Sequence, residues 1–164
     1  MNAGAYGSCM DSVVVITAAY DRNTQRILEI TEHNFGYRQS VYKNSSSLVC
    51  LEAKMLLKVG RTEDIRERMR TLSEERRKKQ PLEYPSAGSY FKRPASDFAG
   101  RLIEICGLKG ERIGDACVSD KHAGFIVNLG NATFDDVIRL EERVRDTVYR
   151  QTGVMLEREV EMIK

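Results

Sequence analysis

The chain has 164 residues, 41% of them hydrophobic and 30% charged, with a formal net charge of +2. That length supports one good core, or one core with a smaller appended unit, and the near balance of charge excludes a global field aimed at nucleic acid or an anionic membrane. No apolar run approaches the roughly 20 residues of a membrane span, and the start has neither the basic residues nor the apolar stretch of a secretory signal, so a cytoplasmic protein is expected.

In chain order, residues 12–18 form a β-branched run of strand length. Asp21-Arg22-Asn23 then suits a hairpin turn into a second strand over 26–30. An irregular stretch with Phe35-Gly36-Tyr37-Arg38-Gln39-Ser40 follows, and 48–59 alternates well enough to predict a long strand. Thr62 can cap a helix from Glu63 to about Lys79, a segment rich in Glu, Arg, Met and Leu without Gly or Pro, which Pro81 and Pro85 end. Between Pro85 and Pro94 the chain reads Ser-Ala-Gly-Ser-Tyr-Phe-Lys-Arg, which presents Ser89 on a tight Ala87-Gly88 bend beside an aromatic ring and two cations. Ser96-Asp97 can cap a helix through Ala99, Leu102, Ile103 and Cys106, stopped by Gly107. Residues 114–119 and 124–128 read as short strands with Lys121-His122 at their junction. Thr133-Phe134-Asp135-Asp136 is a capping box with Asp in place of Glu, and it opens a helix with Val137, Leu140, Val144 and Val148 on one face, ended by Gly153. A last strand is predicted over 154–163. The order predicts an α+β fold, with a small antiparallel β unit followed by a C-terminal layer of helices on a mainly antiparallel sheet.

Three clusters carry chemistry or exclude it. Cys9, Cys50, Cys106 and Cys117 are widely spaced, with no Cys-x-x-Cys pair and only His33 and His122 to join them, which points to reduced thiols and no metal site. The run Arg76-Arg77-Lys78-Lys79 sits in a stretch, 61–79, where eight cations face five carboxylates and no aromatic residue offers a stacking platform, so it reads as a solvated face and not as a nucleic-acid site. In the last segment Glu157, Glu159 and Glu161 fall on one face of an extended chain, with Leu156, Val160 and Met162 on the other. Carboxylates that close together favour one proton-retaining acid, although an acidic wet face on an edge strand gives the same pattern.

The segment from Pro85 to Pro94 resembles the signature of the UDP-N-acetylenolpyruvoylglucosamine reductase (MurB) family, flavoenzymes of peptidoglycan precursor synthesis. Four further stretches agree in the family's order: Asn2-Ala3-Gly4-Ala5-Tyr6-Gly7 with Met1 before it; Phe35-Gly36-Tyr37-Arg38-Gln39-Ser40; 99–107 running on through Ser119-Asp120-Lys121-His122-Ala123-Gly124-Phe125; and Leu156-Glu157-Arg158-Glu159-Val160. The resemblance implies residues 1–60 as part of an FAD-binding domain and 61–164 as a substrate-binding domain. It also implies that 1–7 corresponds to a motif well inside the full-length protein, so that the Gly-rich front of the flavin region is missing from a truncated or internally started chain.

By the same resemblance, NADPH reduces FAD and UDP-N-acetylglucosamine enolpyruvate is then reduced at its vinyl group. Ser89 is implied as the proton donor, Arg38 as the guanidinium against the enolpyruvyl carboxylate and Glu159 as the active-site carboxyl. Tyr37 lines that pocket, Lys79 approaches the substrate diphosphate, and Asn2, Ala3, Gly4, Ala5, Tyr6 and Gly7 meet the flavin. Lys92 is placed at the substrate by our own reading of its charge beside Ser89. A serine is a feeble acid in water, so such a step needs an enclosed site and a stabilised alkoxide, a task for Lys92 or the loop amides. His122 either shapes the flavin side or is structural. Glu161 and Lys164 stand where the family typically has Arg and Gly. The alternative is a non-catalytic module that binds a sugar nucleotide or a partner protein. Without the Gly-rich segments that let backbone amides meet phosphates, the purified chain is expected to be colourless and not to oxidise NADPH.

Overall fold

The computed structural model describes residues 13–36, 39–95 and 97–163. In chain order the elements are β1 (Val14–Asp21), β2 (Arg26–Ile30), α1 (Val41–Asn44), β3 (Leu48–Met55), α2 (Thr62–Lys79), β4 (Ser86–Ser89), α3 (Ala99–Ile105), β5 (Arg112–Ile113), β6 (Ala116–Val118), β7 (Phe125–Asn128) and α4 (Phe134–Thr152). The fold is α+β, and the chain divides into two units, Met1–Arg76 and Arg77–Lys164, with the boundary inside α2.

The first unit is a three-stranded antiparallel sheet of order β2-β1-β3. The hairpin between β1 and β2 turns where the acidic-polar tripeptide predicts it, because the Asp21 carboxylate accepts from the Asn23 N–H at 3.1 Å and from the Thr24 hydroxyl at 2.9 Å. β3 is shorter than expected. It ends at Met55 because its partner β1 begins at Val14, and one last bond, Leu56 N–H to the Val13 carbonyl, closes the ladder at 2.8 Å. Inside this unit Thr17 is buried and its hydroxyl hydrogen-bonds His33 Nε2 at 3.0 Å and the Tyr42 hydroxyl. His33 stacks on Phe35 at 5.1 Å between centroids. Gly36 and Gln39 exchange both backbone hydrogen bonds, at 3.1 and 3.2 Å.

The second unit is a four-stranded antiparallel sheet of order β4-β7-β6-β5, with α4 packed on β5, β6 and α3. The capping box of α4 forms as predicted. Thr133 Oγ1 accepts from the Asp136 N–H at 3.1 Å, Asp136 Oδ2 accepts from the Thr133 N–H at 2.9 Å, and Gly153 closes the helix in the left-handed conformation. Leu140, Val144 and Val148 on its inner face are wholly buried, against a core that includes Ile103, Val118 and Leu156. Each such side chain contributes about 1.5–3 kcal/mol through burial. The α3 start differs from expectation: its N-cap is Phe98, without a side-chain bond, and Asp97 instead accepts from the Phe98 N–H at 2.7 Å.

Candidate functional site

Ser89 ends β4, an edge strand, so the segment read as a free bend is paired to the sheet. Ser86 lies opposite Val127 and Ser89 opposite Phe125, with a register irregularity between them. Gly88 makes that bulge. Its φ is +87°, which only glycine adopts without strain, and nothing lies within 4 Å of where a Cβ would be. The bend therefore exists, set into a strand, and it leaves Ser89 exposed while the next two residues, Tyr90 and Phe91, are buried.

The last segment, expected as a strand over 154–163, is not one. It runs antiparallel to the residues just after β4 and makes one bridge, Phe91 with Arg158, and two backbone bonds, Lys92 N–H to the Glu157 carbonyl at 2.8 Å and Glu159 N–H to the Tyr90 carbonyl at 2.9 Å. The partner edge is only four residues long, Tyr90 to Arg93, before Pro94, too short for a regular ladder. The expected alternation survives: Leu156 is wholly buried, Val160 packs against the core, and Glu157 faces water. The consequence for the site is direct. Ser89 and Glu159, far apart in sequence, stand on adjacent extended segments: Glu159 makes the backbone bond to Tyr90, and Ser89 is the residue before Tyr90. Glu159 is half-buried, with Oε2 out of contact with solvent.

Tyr90, Arg158 and Glu141 complete this corner, and the sequence reading passed over all three. Glu141 is wholly buried on α4. Its Oε2 accepts from the Tyr90 hydroxyl at 2.9 Å and from Arg158 Nε at 2.8 Å, while Arg145 Nη1 lies 3.6 Å from Oε1. Burial first, and the Glu141 carboxylate second, push the Tyr90 phenol above its ordinary range, so it stays a donor at neutral pH. A signal was available: Val137, Glu141, Val144 and Val148 follow the spacing of one helical face, which puts a carboxylate in an apolar stripe.

The remaining expected residues divide. Lys92 is exposed and its ammonium pairs with Glu157 Oε2 at 3.1 Å, so part of its charge is already engaged. Lys79 is the exposed last residue of α2. Asn2, Ala3, Gly4, Ala5, Tyr6, Gly7, Tyr37 and Arg38 lie outside the described residues, as do Cys9, Ser96 and Lys164. His122 is half-buried against Phe125, edge to face at 4.9 Å, and its Nδ1 accepts from the Gly124 N–H at 3.1 Å. Burial lowers its pKa and keeps the ring neutral, as suits a structural histidine that shapes the turn into β7. Among the described residues no three His, Cys, Asp or Glu side chains are grouped to hold a metal ion, and no helix is long and apolar enough to cross a membrane.

Chemically, the corner pairs a segment that carries an exposed hydroxyl with one that carries a partly desolvated carboxyl. It does not offer a phosphate cradle. Both long helices carry two carboxylates in the first turn, Glu63 and Asp64 in α2 and Asp135 and Asp136 in α4, which repel an anion where bare N–H groups attract one. Neither long helix thus offers a phosphate a bare N-terminus.

Comparison with known proteins shows what the chain as a whole is similar to. A reductase from Caldanaerobacter subterraneus subsp. tengcongensis, named UDP-N-acetylenolpyruvoylglucosamine reductase, is 48% identical over 164 residues, covering 99% of this chain and 54% of its own length. The protein of that name from Thermotoga petrophila is 48% identical over 163 residues, 57% of its length. The crystal structure of UDP-N-acetylenolpyruvylglucosamine reductase (MurB) from Thermus caldophilus superposes with a TM-score of 0.76 at 34% identity, over 93% of this chain and 53% of that one. The chain thus spans about half the length of the curated relatives it matches. The family profile described as UDP-N-acetylenolpyruvoylglucosamine reductase, C-terminal domain, matches residues 80–163, nearly the whole second unit, and the chain belongs to that family.

Proposed function

We propose that the chain takes part in the FAD-mediated, NADPH-dependent reduction of UDP-N-acetylglucosamine enolpyruvate to UDP-N-acetylmuramate. In this reading the segment up to about residue 60 belongs to the flavin side and 61–164 to the substrate side. What supports it, beyond kinship, is the backbone bond from Glu159 N–H to the Tyr90 carbonyl at 2.9 Å, which holds a carboxyl-bearing segment against the one that presents the Ser89 hydroxyl.

The flavin, when bound, supplies the hydride that reaches the vinyl carbon. The chain's own residues handle charge and proton. Arg38 holds the enolpyruvyl carboxylate at two points and, with the Glu159 carboxyl, stabilises negative charge as it builds on the enolate. The Ser89 hydroxyl donates its proton to the carbon next to the vinyl terminus and is left as an alkoxide, which the neighbouring cation Lys92 stabilises before solvent reprotonates it. Lys79 meets the diphosphate as a point charge.

Because the chain alone is expected not to oxidise NADPH, the test is turnover of the chain joined to the front half of a full-length relative, with FAD, NADPH and the enolpyruvyl sugar nucleotide in deuterated water, read as NADPH oxidation and deuterium at the lactyl carbon. Ser89→Ala is expected to lower turnover by about two to four orders of magnitude with little change in KM, the usual worth of a positioned proton donor. A Ser89→Ala chain as fast as wild type overturns the assignment. Binding of the sugar nucleotide without any NADPH oxidation in that joined protein favours the second reading, a non-catalytic sugar-nucleotide-binding module.

A further inference from the structure

Tyr90 follows Ser89 and Arg158 precedes Glu159, and both send their polar groups to one atom. The Tyr90 hydroxyl lies 2.9 Å, and the Arg158 Nε and Nη2 each 2.8 Å, from Glu141 Oε2. Glu141 itself comes from α4 and is wholly buried. A carboxylate in that position is costly, and an apolar side chain there would simply continue the stripe of Val137, Val144 and Val148. What the carboxylate does, and an apolar residue cannot, is tie the neighbour of the presented hydroxyl to the neighbour of the desolvated carboxyl. Backbone pairing between these two segments is thin, one bridge and two hydrogen bonds, so a side-chain tie has real leverage on their register.

We infer that Glu141 is a positioning residue: one buried carboxylate clamps Tyr90 and Arg158, and through them holds the Ser89 and Glu159 segments in register. Arg145, 3.6 Å from the other oxygen, offsets the remaining charge. The phenol of Tyr90 can only donate while protonated, and its surroundings keep it so well past neutral pH. The clamp's consequence for reduction rests on the reductase reading, since only there does the spacing of hydroxyl and carboxyl set a rate. The clamp itself does not.

The two are separated by measuring amide hydrogen exchange on the full chain. Glu141→Gln keeps the volume and removes the charge; Tyr90→Phe removes only the hydroxyl. The Glu159 and Lys92 amides, which make the two cross-segment bonds, are expected to exchange at least tenfold faster in Glu141→Gln and by a smaller factor in Tyr90→Phe. The β6 and β7 amides Val118 and Val127 keep their rates, and Glu141→Asp recovers part of the protection. Unchanged exchange at Glu159 and Lys92 overturns the inference. So does a uniform acceleration across the unit, which would make Glu141 a stability residue and nothing more. If Glu141→Gln does not fold, Tyr90→Phe decides by the same two amides. Titration of the same samples with UDP-N-acetylglucosamine enolpyruvate keeps the readings apart. Selective loosening in a chain that binds no substrate upholds the clamp and removes the reductase reading; binding with unchanged exchange removes the clamp and leaves that reading standing.

Discussion

The two units differ in how many large apolar side chains they gather into a core. In the second, Ile103, Leu140, Val144, Val148 and Leu156 are all withdrawn from water around a single core. In the first, Ile27, Leu51, Met55, Leu56, Leu57 and Val59 are all exposed, and the buried positions include two polar side chains held by hydrogen bonds, Thr17 and Asp21. A three-stranded sheet can have correct pairing and turns and still gain little from burial. Pairing sets the shape of the first unit, whereas packing holds the second, and only the second carries the corner where Ser89 and Glu159 meet.

Truncation of one leucine in each unit gives the largest contrast. Leu140→Ala empties space that neighbours from α3, β6 and the last segment cannot refill, and is expected to cost about 2–5 kcal/mol in chemical denaturation. Leu57→Ala removes a side chain that is 71% exposed and should stay within about 0.5 kcal/mol. Equal losses would mean that the apolar residues of the first unit are buried in solution, and the contrast between the units would fall.

Helix caps give the next contrast. Thr133→Ala removes the hydroxyl half of a capping box on a helix that buries a full face, leaving the Thr133 N–H bond to Asp136, and about 1 kcal/mol of stability should go with it. Ser40 caps α1 through a longer bond, 3.3 Å to the Lys43 N–H, on a four-residue helix with no buried side chain. Ser40→Ala should therefore cost less than Thr133→Ala, and thermal unfolding of the two variants in parallel checks the order.

Which parts of this were legible in sequence follows from which were local. The β1–β2 hairpin and the capping box of α4 are written within a few adjacent residues, and both stand where the sequence puts them. The end of β3 and the fate of 154–163 depend on the length of a partner strand elsewhere in the chain, so alternation alone over-extended both. It still named the inward face, Leu156 and Val160, correctly. The two-residue β5 is too short for any periodicity to reveal. At the Ser89 corner the glycine bend was legible locally, but the tie between the neighbours of Ser89 and Glu159 depends on a third element, α4. Only the misplaced polarity of Glu141 in its stripe hinted at it.

A change of pH weakens the second unit without mutation. The folded state keeps His122 neutral at a pKa below its usual value near 6.5, chiefly through burial, so the unfolded chain takes up the proton first. Stability from this group is complete above about pH 6.5 and is lost as pH falls below it. In the first unit the shifted carboxyl is Asp21, held below the carboxylate range by hydrogen bonds from Ser47 and its turn, so it stays ionised over the same interval. Denaturation midpoints at about pH 7 and about pH 5 should differ in the wild type and differ less in His122→Asn. A slope untouched by the substitution would place the titrating group elsewhere.

The smallest effect expected is at Glu157, and it sharpens the contrast within the Ser89 corner. Glu157 and Glu141 both contact the short ladder between 90–92 and 157–159, and both pair with a cation. They differ in solvent. The Glu157 side chain is 72% exposed and its Lys92 partner 48%, so water and salt screen the pair and two flexible side chains must be ordered to make it. Glu157→Gln should change stability by less than about 0.5 kcal/mol, and less still at high salt. It should also leave exchange at the Glu159 amide as it was, because the Lys92 N–H bond to the Glu157 carbonyl is made by backbone and survives the substitution. Loosening of that amide in Glu157→Gln as large as in Glu141→Gln would mean that either carboxylate can hold the register, and the buried one would lose its special place.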